Sequence, residues 1–284
     1  MDMTKTAFVL AGGGSLGAVQ VGMLRVLEAH GIKPDLIVGS SVGAINGAHY
    51  AGAATAEGIN RLQQIWLGLR RADIFPFGLE TLFGLIWSRG FLVSSQGLRN
   101  LFERHLPYRS LEAARVPMHV VATDLLSGEA VVLSKGSVAD AIMASCAIPA
   151  AFAPVWIGQR YLVDGAIGNN TPVRIAARLG ATRIIVLPTG FGCALDKLPR
   201  GTIATALHAI TLVIARQLVA DLESMAGAVD IITVPPLCPL KCSPYDFSRT
   251  AELIESAAES TEKWLASRGF EPGRIPDALR PHHH

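Results

Sequence analysis

What this 284-residue chain has little of bounds it first. Charge is sparse, at 17% of residues, and neither sign dominates: 25 Lys and Arg against 23 Asp and Glu leave a net of +2. Half the chain is hydrophobic, which excludes a disordered or solvating protein. The basic excess or stripe expected of a general nucleic-acid binder is missing. Four cysteines (Cys146, Cys193, Cys238, Cys242) are too few for a disulfide scaffold at this length. Cys238 and Cys242 stand near each other, but no histidine or further cysteine lies close in sequence. They read as ordinary thiols, and no metal ligand set is assigned. Long apolar runs are also missing. The longest, Cys146 to Gly158, has 13 residues and is broken by Pro149 and Pro154, where a spanning helix needs about 20. The apolar stretch after Lys5 meets glycine at Gly12, too soon for a signal-peptide core, so a cytoplasmic protein is expected. His282-His283-His284 reads as a tag remnant and is set aside.

What is present is an alternation of strand and helix. Ala7 to Leu10 and Leu36 to Val38 are short apolar runs closed by turn residues, as buried strands are. Between them, Ser15 to His30 repeats apolar residues at Val19, Met23, Val26 and Leu27 and stops at Gly31, a helix with a glycine cap. Helical spacing continues over Val42 to Ala54 and Ala56 to Leu69. Met118 to Thr123, Ala130 to Leu133, Val155 to Ile157 and Tyr161 to Val163 read as strands, and Val138 to Cys146 as a helix. Thr171-Pro172 predicts a helix start with threonine as N-cap. Ile184 to Leu187 and Ile231 to Val234 complete the strands, and Ile203 to Met225 and Ala251 to Ser267 the helices. Strands separated by helices imply an α/β protein with a mostly parallel sheet covered on both faces. No linker splits the chain, so residues 1–281 are expected to form one domain.

Three segments carry chemistry. Gly12-Gly13-Gly14-Ser15-Leu16-Gly17 follows the first strand and opens a helix. Glycines there free backbone N–H groups for an anion, and the helix start adds favourable potential. The spacing also fits a dinucleotide loop. That reading needs an acidic residue at the end of the second strand, where this chain has Gly39-Ser40-Ser41. The second segment is Gly39-Ser40-Ser41-Val42-Gly43, a G-x-S-x-G at a strand–helix junction, the setting of a nucleophile elbow. Ser41 then projects from the turn and the Val42 N–H lies at a helix start. A histidine base is disfavoured. His208 is the one candidate beyond the best acidic residue, yet it sits in an apolar helical stretch, and the elbow arrives after a single strand–helix unit. The third is Asp164-Gly165-Ala166, after the apolar Tyr161-Leu162-Val163. Alone it is a common strand-end turn.

Together the three resemble the patatin-like phospholipase family, in the family's order and over most of the chain from Lys5 to about Val234. Ala122-Thr123-Asp124-Leu125, Gly128-Glu129, Ala144-Ser145-Cys146-Ala147-Ile148-Pro149 and Val163-Asp164-Gly165 look especially like bacterial members. The resemblance implies a three-layer α/β/α fold and a serine lipid acyl hydrolase acting on phospholipids, lysophospholipids or related esters, with no metal or other cofactor. It implies a Ser41–Asp164 dyad, an oxyanion hole at Gly12, Gly13, Gly14 and Val42, and supporting motif positions Gly17, Gly39, Gly43, Gly165 and Ala166. Acyl transfer to an alcohol on the same dyad is the near alternative; a non-catalytic lipid- or anion-binding protein is the distant one. Two positions depart from the pattern. Leu16 stands where many members carry Arg or Lys, and Ala166 replaces the second glycine of Asp-Gly-Gly. Asp124 reads as structural.

Residues 70–115 hold seven of the 18 aromatic residues together with seven arginines and four acids. Most of these rings are expected in a cap buried over the cleft. The same mix suits a membrane interface, and Phe75 to Trp87 is read as an interfacial lid through which acyl chains enter.

Overall fold

A computed structural model describes residues 4–74, 96–149, 151–191, 193–194, 202–267, 269–280 and 282. The proposed lid, 75–87, lies outside them.

Two strands set the frame. β1 (Thr6–Leu10) and β2 (Leu36–Ser40) are almost wholly buried apolar runs and pair in parallel, as strands covered on both faces do. β7 (Arg183–Leu187) joins β1 on its other edge and β8 (Asp230–Thr233) joins β7, both parallel. β3 (Met118–Asp124) pairs in parallel with β2. Beyond it the sheet turns antiparallel, through β4 (Ala130–Leu133), β5 (Val155–Ile157) and β6 (Arg160–Val163). The order is β5-β6-β3-β2-β1-β7-β8, with β4 also on β3. The mostly parallel expectation therefore holds for the five strands β3-β2-β1-β7-β8, and the antiparallel part is confined to one side.

Alternation along β1 divides two cores. Phe8 and Leu10 face α1 (Ala18–Ala29), α2 (Val42–Gly52), α3 (Ala56–Gly68) and, at the C-terminal end, Thr250–Ala266. Ala7 and Val9 face the layer of Val173–Arg178 and Thr202–Ser224. The remaining helices are α4 (Arg71–Ile74), α5 (Gln96–His105), α6 (Val138–Ser145) and α7 (Gly165–Asn169). Val173–Arg178 is then α8, Thr202–Ser224 is α9 and Thr250–Ala266 is α10. Of the seven aromatics in 70–115, Phe102 and Tyr108 are among the described residues, and both are buried in the first core. The N-cap of α8 is Pro172, not Thr171, and it makes no side-chain cap bond. With Pro172 at ψ 53° the chain is not yet helical there, and the Val173 N–H turns back to the Thr171 carbonyl at 2.8 Å.

One register detail decides where the chemistry sits. Val121 of β3 pairs with Ser40 of β2 on one edge and Val132 of β4 on the other. Two residues on, Thr123 pairs with Ala130 of β4 and Val163 of β6. β6 thus takes the β3 edge that β2 vacates. The residue after β2, Ser41, and the residue after β6, Asp164, are brought together by strand pairing.

Candidate active site

The turn after β2 is built by close approach. A Cβ on Gly39 would lie 2.5 Å from the Gly43 carbonyl oxygen, and one on Gly43 would lie 2.2 Å from the Leu10 carbonyl oxygen. Only hydrogen at both positions lets α2 start directly over β1. Between them Ser41 adopts φ 51°, ψ −125°, a conformation that an L-residue holds only under strain. Its amide donates to Ser145 Oγ at 2.8 Å, and Ser145 in turn donates to the Val121 carbonyl at 2.5 Å.

The Ser41 hydroxyl donates to Asp164 Oδ2 at 2.8 Å, with no imidazole between them. Asp164 caps α7: its Oδ1 accepts the Ala166 amide at 2.8 Å, its own amide donates to Ala147, and its carbonyl accepts from Thr123 Oγ1. Thr123 Oγ1 also accepts the Gly168 amide at 2.9 Å, tying α7 to β3. Asp164 is 4% exposed. Burial pushes its carboxyl up to about 6, against the smaller pull of the Ala166 amide and the Ser41 hydroxyl. A carboxyl so placed is a better base than an exposed aspartate. The same burial, followed by the Asp164 charge, raises the neighbouring Cys146 thiol and keeps it protonated.

The glycine loop runs alongside. The Gly12 amide already donates to the Asn170 carbonyl at 3.2 Å, and its carbonyl is held by Thr189 Oγ1 at 2.7 Å. Gly12 therefore anchors the loop. The amides of Gly13 and Gly14 have no acceptor among the described residues, and both glycines line the cavity that holds Ser41 and Asp164. Gly14 has φ 58°, and a Cβ there would meet the Pro244 carbonyl oxygen at 2.3 Å. That same carbonyl accepts the Ser15 amide at 2.8 Å. Behind the loop, Gln20 Nε2 donates to the Ala11 and Leu187 carbonyls, Asn46 Nδ2 to the Gly17 carbonyl and Gln20 Oε1, and Trp66 Nε1 to Asn46 Oδ1. This buried network holds both ends of the loop. The Val42 amide opens α2 without an acceptor among the described residues, and the Val42 side chain packs against Gly17.

Two apolar cavities meet at Ser41, one of about 250 Å³ and one of about 100 Å³. Leu16 lines neither and is fully buried in the first core. Asp124 accepts the Leu126 amide at 2.9 Å in the β3–β4 turn and faces Arg160 at 3.7 Å, a structural role. His208 is half-buried on α9 and lines neither cavity. The cysteines pair differently in space than in sequence: Cys238 lies 4.0 Å from Cys193 and 3.2 Å from the terminal His282, while the buried Cys242 points to Ser243 and Asp246 carbonyls. Among the described residues these three, Cys193, Cys238 and His282, are the one group close enough to hold a metal ion. Ser145, Thr123, Asn170, Thr189 and Pro244 also support the site. Thr123 and Ser145 lie in stretches that carry the family resemblance, without a role assigned to them there; Asn170, Thr189 and Pro244 have no such signal.

A patatin-like phospholipase family model matches residues 8–177. Patatin-like phospholipase domain-containing protein 7 of Rattus norvegicus is 28% identical over 186 residues, 65% of this chain and 13% of its own length. An NTE family protein of Mycobacterium bovis is 32% identical over 171 residues, 59% of this chain and 27% of that protein. The chain thus spans a small part of the curated relatives it matches. Among solved structures, VipD of Legionella pneumophila shares the fold, with a TM-score of 0.50 at 15% identity, covering 93% of this chain and 67% of VipD. With a family model covering more than half of its length, this chain belongs to the patatin-like phospholipase family.

Proposed function

We propose that the chain is a serine lipid acyl hydrolase that cleaves carboxylic esters with apolar acyl chains, of the phospholipid, lysophospholipid or simple ester class. The observation that carries this reading is the direct 2.8 Å hydrogen bond from Ser41 Oγ to a buried Asp164, in an apolar cleft beside two uncommitted amides. Ser41 Oγ attacks the ester carbonyl carbon as Asp164 takes its proton. The carbonyl electron pair moves onto oxygen, where the Gly13 and Gly14 amides, with Val42 at the helix start, donate to it. Collapse breaks the bond to the alcohol oxygen, which receives the proton from Asp164. A water then repeats the sequence on the acyl-serine, with Asp164 again as base, and releases the acid. No step draws on a metal or cofactor. No helix among the described residues is long and apolar enough to cross a membrane.

The test compares wild type, Ser41→Ala and Asp164→Asn for fluorophosphonate labelling and for turnover of p-nitrophenyl esters. Labelling and turnover in wild type, loss of both in Ser41→Ala, and a fall of about 10²–10⁴-fold in Asp164→Asn are expected. A folded wild type that neither labels nor turns over, alone or with mixed micelles, would sink the reading.

A further inference from the structure

Asp164 lines only one of the two cavities that meet at Ser41. The larger cavity runs from the glycine loop past Asp164 and Asn170 to Ile214 and Leu218 of α9. The smaller lies beside α2, walled by Ile45, by Ile65 of α3 and by Leu101 and Phe102 of α5. This asymmetry has a chemical consequence. The group that takes the serine proton must return it to the departing oxygen, so the alcohol has to leave on the Asp164 side. The acyl group stays bonded to Ser41 Oγ and needs the other apolar space.

We infer that the smaller cavity holds the acyl chain and the larger one the leaving alcohol, an assignment that rests on the hydrolase reading above. The polar groups are distributed to match. The larger cavity is lined by Asp164, Asn170, Thr171 and Thr189 together with the glycine loop. This more polar lining suits a leaving alcohol that carries further hydroxyls, as in a glycerol ester. The smaller cavity is lined mainly by carbon, with the buried His49 and the exposed His105 as its two histidines. His49, the buried one, is held neutral, pushed down to about 4 by burial and then by Arg61 and His105, so that ring puts no charge on the wall at neutral pH.

The experiment measures two kcat/KM profiles on each protein. One varies the acyl chain of p-nitrophenyl esters from acetate to laurate; the other holds a butyryl group and varies the alcohol among methanol, butanol and glycerol. Ile65→Phe and Leu101→Phe, both at half-buried positions in the smaller cavity, should shorten the preferred acyl length. Long esters should lose about tenfold or more relative to short ones, with the order of alcohols unchanged. Ile214→Trp, half-buried in the larger cavity, should reorder the alcohols and leave the acyl profile alone. The opposite pattern, a shift of both profiles by either kind of variant, or no shift in folded variants would overturn the assignment while leaving the hydrolase reading in place. Absence of turnover and of fluorophosphonate labelling in wild type would overturn both.

Discussion

Ser41 does two things that conflict: it presents its hydroxyl, and it holds a backbone conformation suited to glycine. The conflict can be measured by comparing two inactive variants. Ser41→Gly and Ser41→Ala both lack the hydroxyl, but only alanine keeps the strained Cβ, so the glycine variant should be the more stable by about 1 kcal/mol or more in chemical denaturation. Asp164 gives a second conflict. Its folded pKa, about 6, lies above the ordinary 3.8, so between those values the native state binds more protons than the unfolded one. Stability then falls as pH rises through that window and levels off above it. Asp164→Asn removes the titration. Its stability relative to wild type should improve by about 2 kcal/mol between pH 4 and pH 7, most of what a shift of roughly two units supplies. Ester turnover should rise over the same range, half-maximal near pH 6, because the base must be ionised. These two residues and the glycine loop were legible in the sequence because their spacing is local. Asn170, Thr189 and Pro244 were not: each acquires its role from a segment over 150 residues away.

The element that holds the nucleophile is the junction of β2 and α2, and its tolerance is set by backbone contacts. Gly43→Ala would place a methyl 2.2 Å from the Leu10 carbonyl oxygen, and neither α2 nor β1 can yield without opening the buried sheet. A loss of about 1–3 kcal/mol is expected, read as a lower denaturation midpoint. Ser145→Ala tests the support from α6. It removes the acceptor for the Ser41 amide and the donor to Val121, leaving buried groups unmatched. About 1–3 kcal/mol of stability should go, with a fall in kcat larger than any change in KM. Most elements were visible as apolar periodicity, since their burial pattern repeats within the element itself. The short α7 and the amphipathic α5 were not identified. α7 has five residues, fewer than two turns, and α5 has only Leu98, Leu101 and Phe102 to mark its buried face. Spacing in sequence does not give the spatial neighbour of Cys238, which has Cys242 near it in sequence and Cys193 beside it in the fold.

For the molecule as a whole, alternation of strand and helix foretold the layers and the parallel centre. It could not foretell that β6 would occupy the β3 edge beyond β2, because strand partners are chosen by contacts far apart in the chain. That shared edge has an outcome for length variation. The spacing between nucleophile and base is counted in strand residues, not in loop length. One residue inserted within β2, or between Val163 and Asp164, shifts a register and turns every following side chain to the other face. One inserted in the exposed Gly158-Gln159 turn between β5 and β6 leaves both registers intact. Insertion scanning with single alanines should find activity lost at the first two sites and kept at the third. Chain-length changes in such a protein would therefore be expected to accumulate at the hairpin tips and spare the two strands that end at the dyad.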